Sequence, residues 1–330
     1  MTWDALLPRN AARLMRGGGG PGLAKAPPAG ADVTFSFFAP RNAAVNLVGD
    51  FTAWLPQPMQ GDGRGWWRCA WHLPNGEYRY RFQVLSVTPW LSGRWVTVTD
   101  PLSPCLPPDR TANTICIADG QIRGAGYIWR HDDAPLALDE TMRRARLTPD
   151  SPCFGGAMPA CRAVGEALDE MAAGGVGVII VPSVATTPAL GYDVSRPFFP
   201  AGECAQVDSF KDMVDECHRR GIRVIVEMEA GQGDPLGTLA QIDYGYWYAL
   251  PLGEANSVGA ARFDYEHRDE RSGLFPAQEF VRACVFHWLD TYHIDGVRVL
   301  GAASAAERAF LTGLGSEARA AFKPFCVELG

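Results

Sequence analysis

The chain has 330 residues, 47% of them hydrophobic, and 30 basic against 37 acidic side chains give a net charge of −7. That length predicts about two domains with ample material for a core. The charge is spread along the chain, which argues against a nucleic-acid footprint and suits neutral polysaccharide or protein partners.

Nine cysteines with no C-x-x-C pair fit reduced, mostly buried thiols, and six histidines show no ligand spacing, so neither a disulfide framework nor a metal or other cofactor is expected. No stretch approaches the roughly 20 apolar residues of a membrane-spanning helix, and Met1 to Gly20 lacks a continuous apolar segment. The chain reads as cytoplasmic, with no membrane attachment.

Residues 1–30 carry Gly17 to Gly20, Pro21, Pro27 and Pro28 and read as a flexible tail with a short helix around Leu6 to Leu14. Over residues 31–106 the texture is one of short alternating runs: Thr34 to Phe38, Ala44 to Val48, Trp66 to Leu73, Tyr78 to Val84 and Arg94 to Thr99. That pattern predicts a β-sandwich. The clearest run follows the turn Pro74-Asn75-Gly76, with Tyr78, Tyr80, Phe82 and Val84 on one face and Arg79, Arg81 and Gln83 on the other. Tryptophans in a small sandwich belong more often to the core than to a ligand platform, which assigns Trp66 and Trp71 to the interior. Trp54 follows the Gly49-Asp50 loop and is the candidate exposed stacking surface. Residues 107–133, rich in proline at their start, read as a linker.

Residues 134–330 alternate helical and strand patterns. A first strand is expected near Leu136 to Thr141. Val164, Leu168 and Met171 then mark a helix over Ala163 to Ala173, ended by Gly174-Gly175 before the apolar strand Val176 to Pro182. Asp208 is expected to cap the next helix, striped by Phe210, Met213, Val214 and Cys217, and Gly221 closes it before a strand over Ile222 to Met228. Gly233 to Gly273 reads as a long irregular loop, in which Tyr244, Tyr246, Trp247 and Tyr248 form either a sugar-stacking shelf or a small core of their own. A helix over Pro276 to Tyr292, a strand entered at Gly296, a helix over Glu307 to Leu314 and a strand over Phe325 to Leu329 complete the pattern.

The run Tyr292-His293-Ile294-Asp295-Gly296-Val297-Arg298 resembles strand four of the α-amylase superfamily, glycoside hydrolase family 13, and is nearest to glycogen branching enzymes, which read roughly Y-H-I-D-G-L-R-V-D. Phe35-Ser36-Phe37-Phe38-Ala39-Pro40, Val45 to Phe51, Trp54, Pro58-Met59 and Gly76 to Tyr80 resemble the family-48 carbohydrate-binding module that precedes the barrel in those enzymes. The implied fold class is multidomain β plus α/β, an immunoglobulin-like β-sandwich followed by a truncated (β/α)8 TIM-type barrel. Such a barrel takes about 250 residues. Only 197 follow Asp133 (330 minus 133), so the first five strands are expected here, with an apolar edge that invites a homo-oligomer or a partner chain.

The resemblance assigns site roles by position. Arg298 stands at the site arginine and Glu328 at the general acid, whereas the nucleophile position holds Leu300. Asp295 lies on the opposite face of the strand, about 16 Å away at ~3.3 Å per residue, and cannot substitute. Glu227 occupies the aspartate position of strand three, and Gly231 and Gln232 replace an asparagine and a histidine. Tyr192, in Gly191-Tyr192-Asp193-Val194, inherits the tyrosine that stacks under the sugar. Trp54, Tyr246 and Trp247 are further candidates for contact with α-glucan.

Leu300 at the nucleophile position and the altered strand-three motif favour a non-catalytic relative of branching enzymes that binds α-glucan or a protein partner. Three alternatives stand beside it. One is a working hydrolase or glucanotransferase that pairs Glu328 with Glu227 or Glu229. The others are a fragment without function of its own and a scaffold that recruits enzymes without touching glucan.

Overall fold

The computed structural model describes residues 30–101, 111–122, 127–131, 141–147, 161–182, 204–250, 261–301, 304–321 and 326–329. The chain divides into two compact units, one grouping residues up to Gly126 with Leu236–Gly245 and the other holding the remainder.

The first unit is a sandwich of two antiparallel sheets. Its strands are β1 (Gly30–Phe38), β2 (Val45–Gly49), β3 (Gln57–Pro58), β4 (Gln60–Gly61), β5 (Trp66–Pro74), β6 (Gly76–Leu85), β7 (Trp95–Val98), β8 (Asn113–Ala118) and β9 (Gln121–Ile122). One sheet runs β1-β5-β4; the other runs β3-β2-β6-β8-β9, with β7 also paired to β6. Alternation decides which side chains face inward. Val33, Phe35 and Phe37 of β1 meet Leu47 of β2 and Tyr80, Phe82 and Val84 of β6 in one buried cluster. Trp66 is buried as expected, and Trp71 is half-buried against the same cluster.

The segment read as a linker is corrected here. Asn113–Ala118 pairs antiparallel with Gly76–Tyr80 and is a sandwich strand. Fully buried Asn113 ties it in by accepting from the Asp100 amide (2.6 Å) and donating to the Asp100 carbonyl (3.2 Å). The Pro-rich stretch before it hid this run, because the strand is joined by pairing distant in sequence rather than by a local turn.

The second unit is built on five parallel strands in chain order: β10 (Arg143–Arg146), β11 (Val176–Val181), β12 (Arg223–Glu229), β15 (Gly296–Leu300) and β16 (Cys326–Leu329). Sequential parallel strands with intervening helices make this an α/β unit. Its helices are α1 (Cys161–Ala173), α2 (Cys204–Arg219), α4 (Pro276–Tyr292) and α5 (Ala305–Ala321), and a small antiparallel pair, β13 (Gln232–Gly233) and β14 (Ala261–Arg262), follows β12; α3 (Thr238–Trp247) groups with the first unit as far as Gly245. No helix of the described residues is long and apolar enough to cross a membrane.

Most expected elements lie within a few residues of their predicted bounds. Three differ in substance. Gly233 to Gly273, read as one long irregular loop, carries α3 and the β13–β14 pair, and the alternating buried residues Ala240, Ile242, Tyr244 and Tyr246 hide the period of that helix. The first strand is Arg143–Arg146, beyond the predicted Leu136 to Thr141, of which residues 136–140 lie outside the described residues. Its charged face obscured the apolar signal that strand prediction needs. Asp208 lies inside α2, which starts at Cys204, so it is not the N-cap; the stripe of Phe210, Met213, Val214 and Cys217 is buried as read.

The fourth strand is held from both sides. A Cβ at Gly296 would meet the Cys326 carbonyl oxygen at 2.9 Å and run into its sulfur, so only glycine permits β15 and β16 to lie this close. On the outer face, buried Asp295 accepts from Arg223 Nη1 (3.0 Å) and the Val224 amide (2.9 Å), with His218 Nε2 at 2.9 Å. Ser304 and Glu307 form a capping box at the start of α5, the Glu307 amide donating to Ser304 Oγ at 3.0 Å.

Candidate functional site

One face of the strands β10, β12, β15 and β16 is rich in charge. Arg144 and Arg146 are two residues apart on β10, Glu227 and Glu229 on β12, Arg298 and Leu300 on β15, with Glu328 on β16. Parallel register sets Glu227 beside Arg298 and Arg298 beside Glu328. Each pair therefore faces the same way across adjacent strands.

These side chains form a lattice of alternating charge. Arg146 grips Glu227 through Nε (3.0 and 3.1 Å) and Nη2 (2.7 Å). Arg298 reaches Glu227 at 3.8 Å with Nη1 and Glu328 with Nε (3.1 Å) and Nη2 (3.0 Å). Arg144 donates to the other oxygen of Glu328. Both oxygens of Glu328 are thus engaged by arginines.

The electrostatic consequence opposes the role inherited by position. Burial pushes the Glu328 carboxyl up, but hydrogen bonds and charge from Arg144 and Arg298 outweigh it and hold the group below the ordinary carboxylate range. A general acid must keep its proton near neutrality, which needs the opposite shift. Glu229 behaves the other way: burial, and then the charge of Glu227, raises it. Leu300 is half-buried opposite Glu229 in the register and brings no oxygen to the site.

The sequence reading therefore placed Arg298, Glu227 and Glu328 on one surface but missed Arg144 and Arg146. A signal was present in Arg143-Arg144-Ala145-Arg146, because two like charges at strand spacing need acidic partners when they face inward. Glu227 is 3% exposed and committed to its arginines, so it is not a free sugar ligand in this arrangement.

Tyr246 and Trp247 do not form a shelf. They are 4% and 1% exposed, and their rings pack edge-to-face on each other at 4.7 Å, with Trp247 also against Phe280 at 5.6 Å. Both rings end α3, and the contact with Phe280 of α4 helps to bury Trp247. Tyr192 lies outside the described residues.

Trp54, on the sandwich, is 43% exposed. Its indole Nε1 donates to Asp50 Oδ1 at 3.0 Å, and Asp50 Oδ2 accepts the Arg79 amide at 2.7 Å. The backbone at Ala53 and Trp54 is left-handed, with φ of 51° and 60°. That conformation is costly for a bulky residue. The bond to Asp50 orients the exposed ring.

Residues 22–103 match the Carbohydrate-binding module 48 (Isoamylase N-terminal domain). Among curated proteins, the chain is 26% identical over 280 residues to the 1,4-alpha-glucan branching enzyme GlgB of Corynebacterium jeikeium, covering 82% of this chain and 38% of that protein. The corresponding enzyme of Frankia casuarinae is 30% identical over 308 residues, with 84% and 34% covered. The chain thus spans little more than a third of the length of these relatives. Among solved structures, a variant pullulanase from Paenibacillus barengoltzii complexed with maltotriose superposes with a TM-score of 0.65 at 15% identity, over 91% of this chain and 52% of that one. A pullulanase from Bacillus acidopullulyticus also gives 0.65 at 15% identity, over 93% and 42%. At such identity the structural likeness establishes the fold alone.

Proposed function

We propose that this chain, a relative of the 1,4-α-glucan branching enzymes that carries a family-48 carbohydrate-binding module, binds α-glucan and performs no glycosyl transfer. The observation that carries the reading is the engagement of Glu328 by Arg144 and Arg298. Retaining transfer needs one carboxylate to form the glycosyl ester and a second carboxyl to shuttle the proton, roughly 5 to 5.5 Å apart. Leu300 supplies no nucleophile, and Glu328 is held ionised. Trp54 supports binding: an exposed, pre-oriented indole offers a flat apolar face to a sugar ring without losing side-chain freedom on contact.

Native electrophoresis through glycogen-containing gels tests this. The chain is expected to be retarded relative to a non-binding control, Trp54→Ala to run with that control, and incubation with glycogen or maltooligosaccharides to yield neither new branches nor new reducing ends. A folded chain that is not retarded, or one that releases or transfers sugar, overturns the reading.

One observation favours a second reading, that of an inverting hydrolase whose proton donor is Glu229. Its carboxyl is raised by burial, as donors are. Sugar release abolished in Glu229→Gln supports it; inactivity of the folded wild-type chain removes it.

A further inference from the structure

Helix α3 is interrupted at Asp243, where φ of −161° and ψ of 80° are not helical. An interruption leaves the carbonyls of the preceding turn without helical partners. All three are taken by the sandwich. The Ala240 carbonyl accepts from Thr88 Oγ1 (2.8 Å), Gln241 from Ser86 Oγ (2.6 Å), and Ile242 from both Asn42 Nδ2 (3.0 Å) and the Val87 amide (3.0 Å).

Beyond the interruption the matching continues. Asp243, 2% exposed, accepts from Arg41 through Nε (2.6 Å) and Nη2 (2.5 Å), a fork-on-fork pair. The Tyr244 amide donates back to Thr88 Oγ1 at 2.9 Å, so this one hydroxyl serves as donor and acceptor to the same segment. At the start, Thr238 Oγ1 donates to the Thr99 carbonyl at 2.7 Å. Ile242 is wholly buried within the sandwich core cluster, and the Tyr244 ring lies against Trp90 at 5.0 Å.

We propose that Leu236–Gly245 is a built-in latch of the sandwich: a segment supplied from beyond β12 that docks on a strip formed by Arg41, Asn42, Ser86, Val87, Thr88 and Trp90. A turn of helix this short does not persist on its own. Its conformation is set by the strip, and the strip's hydroxyl and amide groups are spaced for this segment's carbonyls. The carbohydrate-binding unit is therefore larger than residues 22–103 of the family match. Only Asp234 and Pro235 separate the latch from β13 in the chain.

Hydrogen exchange of the full chain, followed by mass spectrometry, tests the proposal independently of glucan binding. In the wild type, residues 236–245 are expected to exchange slowly, together with 80–85 of β6. Thr88→Val, which removes the hydroxyl at constant shape, is expected to speed exchange of 236–245 and 86–91 by about tenfold, the scale of one hydrogen bond. Asp243→Asn is expected to act on the same two segments while β12 stays unchanged. Exchange of 236–245 at unprotected rates in the wild type overturns the latch, and that measurement needs no variant. Indifference to Thr88→Val, or an equal rise in β12, overturns it as well.

Discussion

Arg298 and Glu328 are neighbours in the parallel register of β15 and β16, and the guanidinium engages one Glu328 oxygen through Nε and Nη2 while Arg144 holds the other. A carboxyl near the end of a parallel strand is thereby turned into the centre of an ion-pair lattice. Two functions compete for the same group. A proton donor must be free to lose and regain its proton, whereas a lattice member contributes only while ionised.

Glu328→Gln is expected to destabilise the chain by about 1–2 kcal/mol at pH 7, between the values for exposed and buried pairs. The sign with pH follows from the lowered folded-state acidity. The contribution is complete above the unfolded carboxylate range near pH ~4.3 and is lost as pH falls through the lower folded value. Urea midpoints of wild type and variant should therefore converge on acidification. A gap that stays constant to low pH would mean that Glu328 acts through packing rather than charge.

Glu229→Gln is expected to do the reverse. Burial and the Glu227 charge raise this group, so its ionised form is disfavoured in the fold. Stability is full below the unfolded range and falls as pH rises through the raised folded value. The variant should be more stable than wild type at pH 7, and the difference should vanish below the ordinary carboxylate range. Loss of stability at pH 7 would refute the assignment.

Asp295→Ala should be far more damaging. It strips buried Arg223, 2% exposed, of its charged partner and leaves the Val224 amide unpaired at the entry to β12. Removing one member of a buried pair costs about 3–5 kcal/mol. A thermal midpoint within a degree or two of wild type would contradict this account of the outer face.

Leu300→Asp puts a carboxylate on β15 at the position to which the sequence resemblance assigns the nucleophile. No sugar release is expected from it, since Glu328 remains engaged by Arg144 and Arg298 and Glu229 stands opposite as a like charge. Release of glucose or maltooligosaccharides by the variant would show that the lattice opens to substrate.

Much of the fold is legible in the residues themselves because its signals are local. Alternation over Tyr78 to Val84 specifies a half-buried strand, the stripe Phe210, Met213, Val214, Cys217 specifies one helix face, and the apolar runs at Val176 and Ile222 specify strands covered on both sides. Strand periodicity likewise puts Arg298 and Leu300 on one face and Asp295 on the other, and the loop after Gly49 exposes Trp54. The tertiary structure decided what depends on partners distant in the chain. Arg144 and Arg146 look like surface residues until Glu328 and Glu227 arrive 184 and 81 residues later. The run at Asn113 becomes a strand only against β6. Tyr246 and Trp247 have the composition of a sugar shelf, and only packing sends them inward. The carbonyls of Ala240, Gln241 and Ile242 find their donors in a sandwich strip some 150 to 200 residues earlier. A hydrogen bond or ion pair between such residues has no period and no spacing, so it becomes visible only when the fold brings the two ends together.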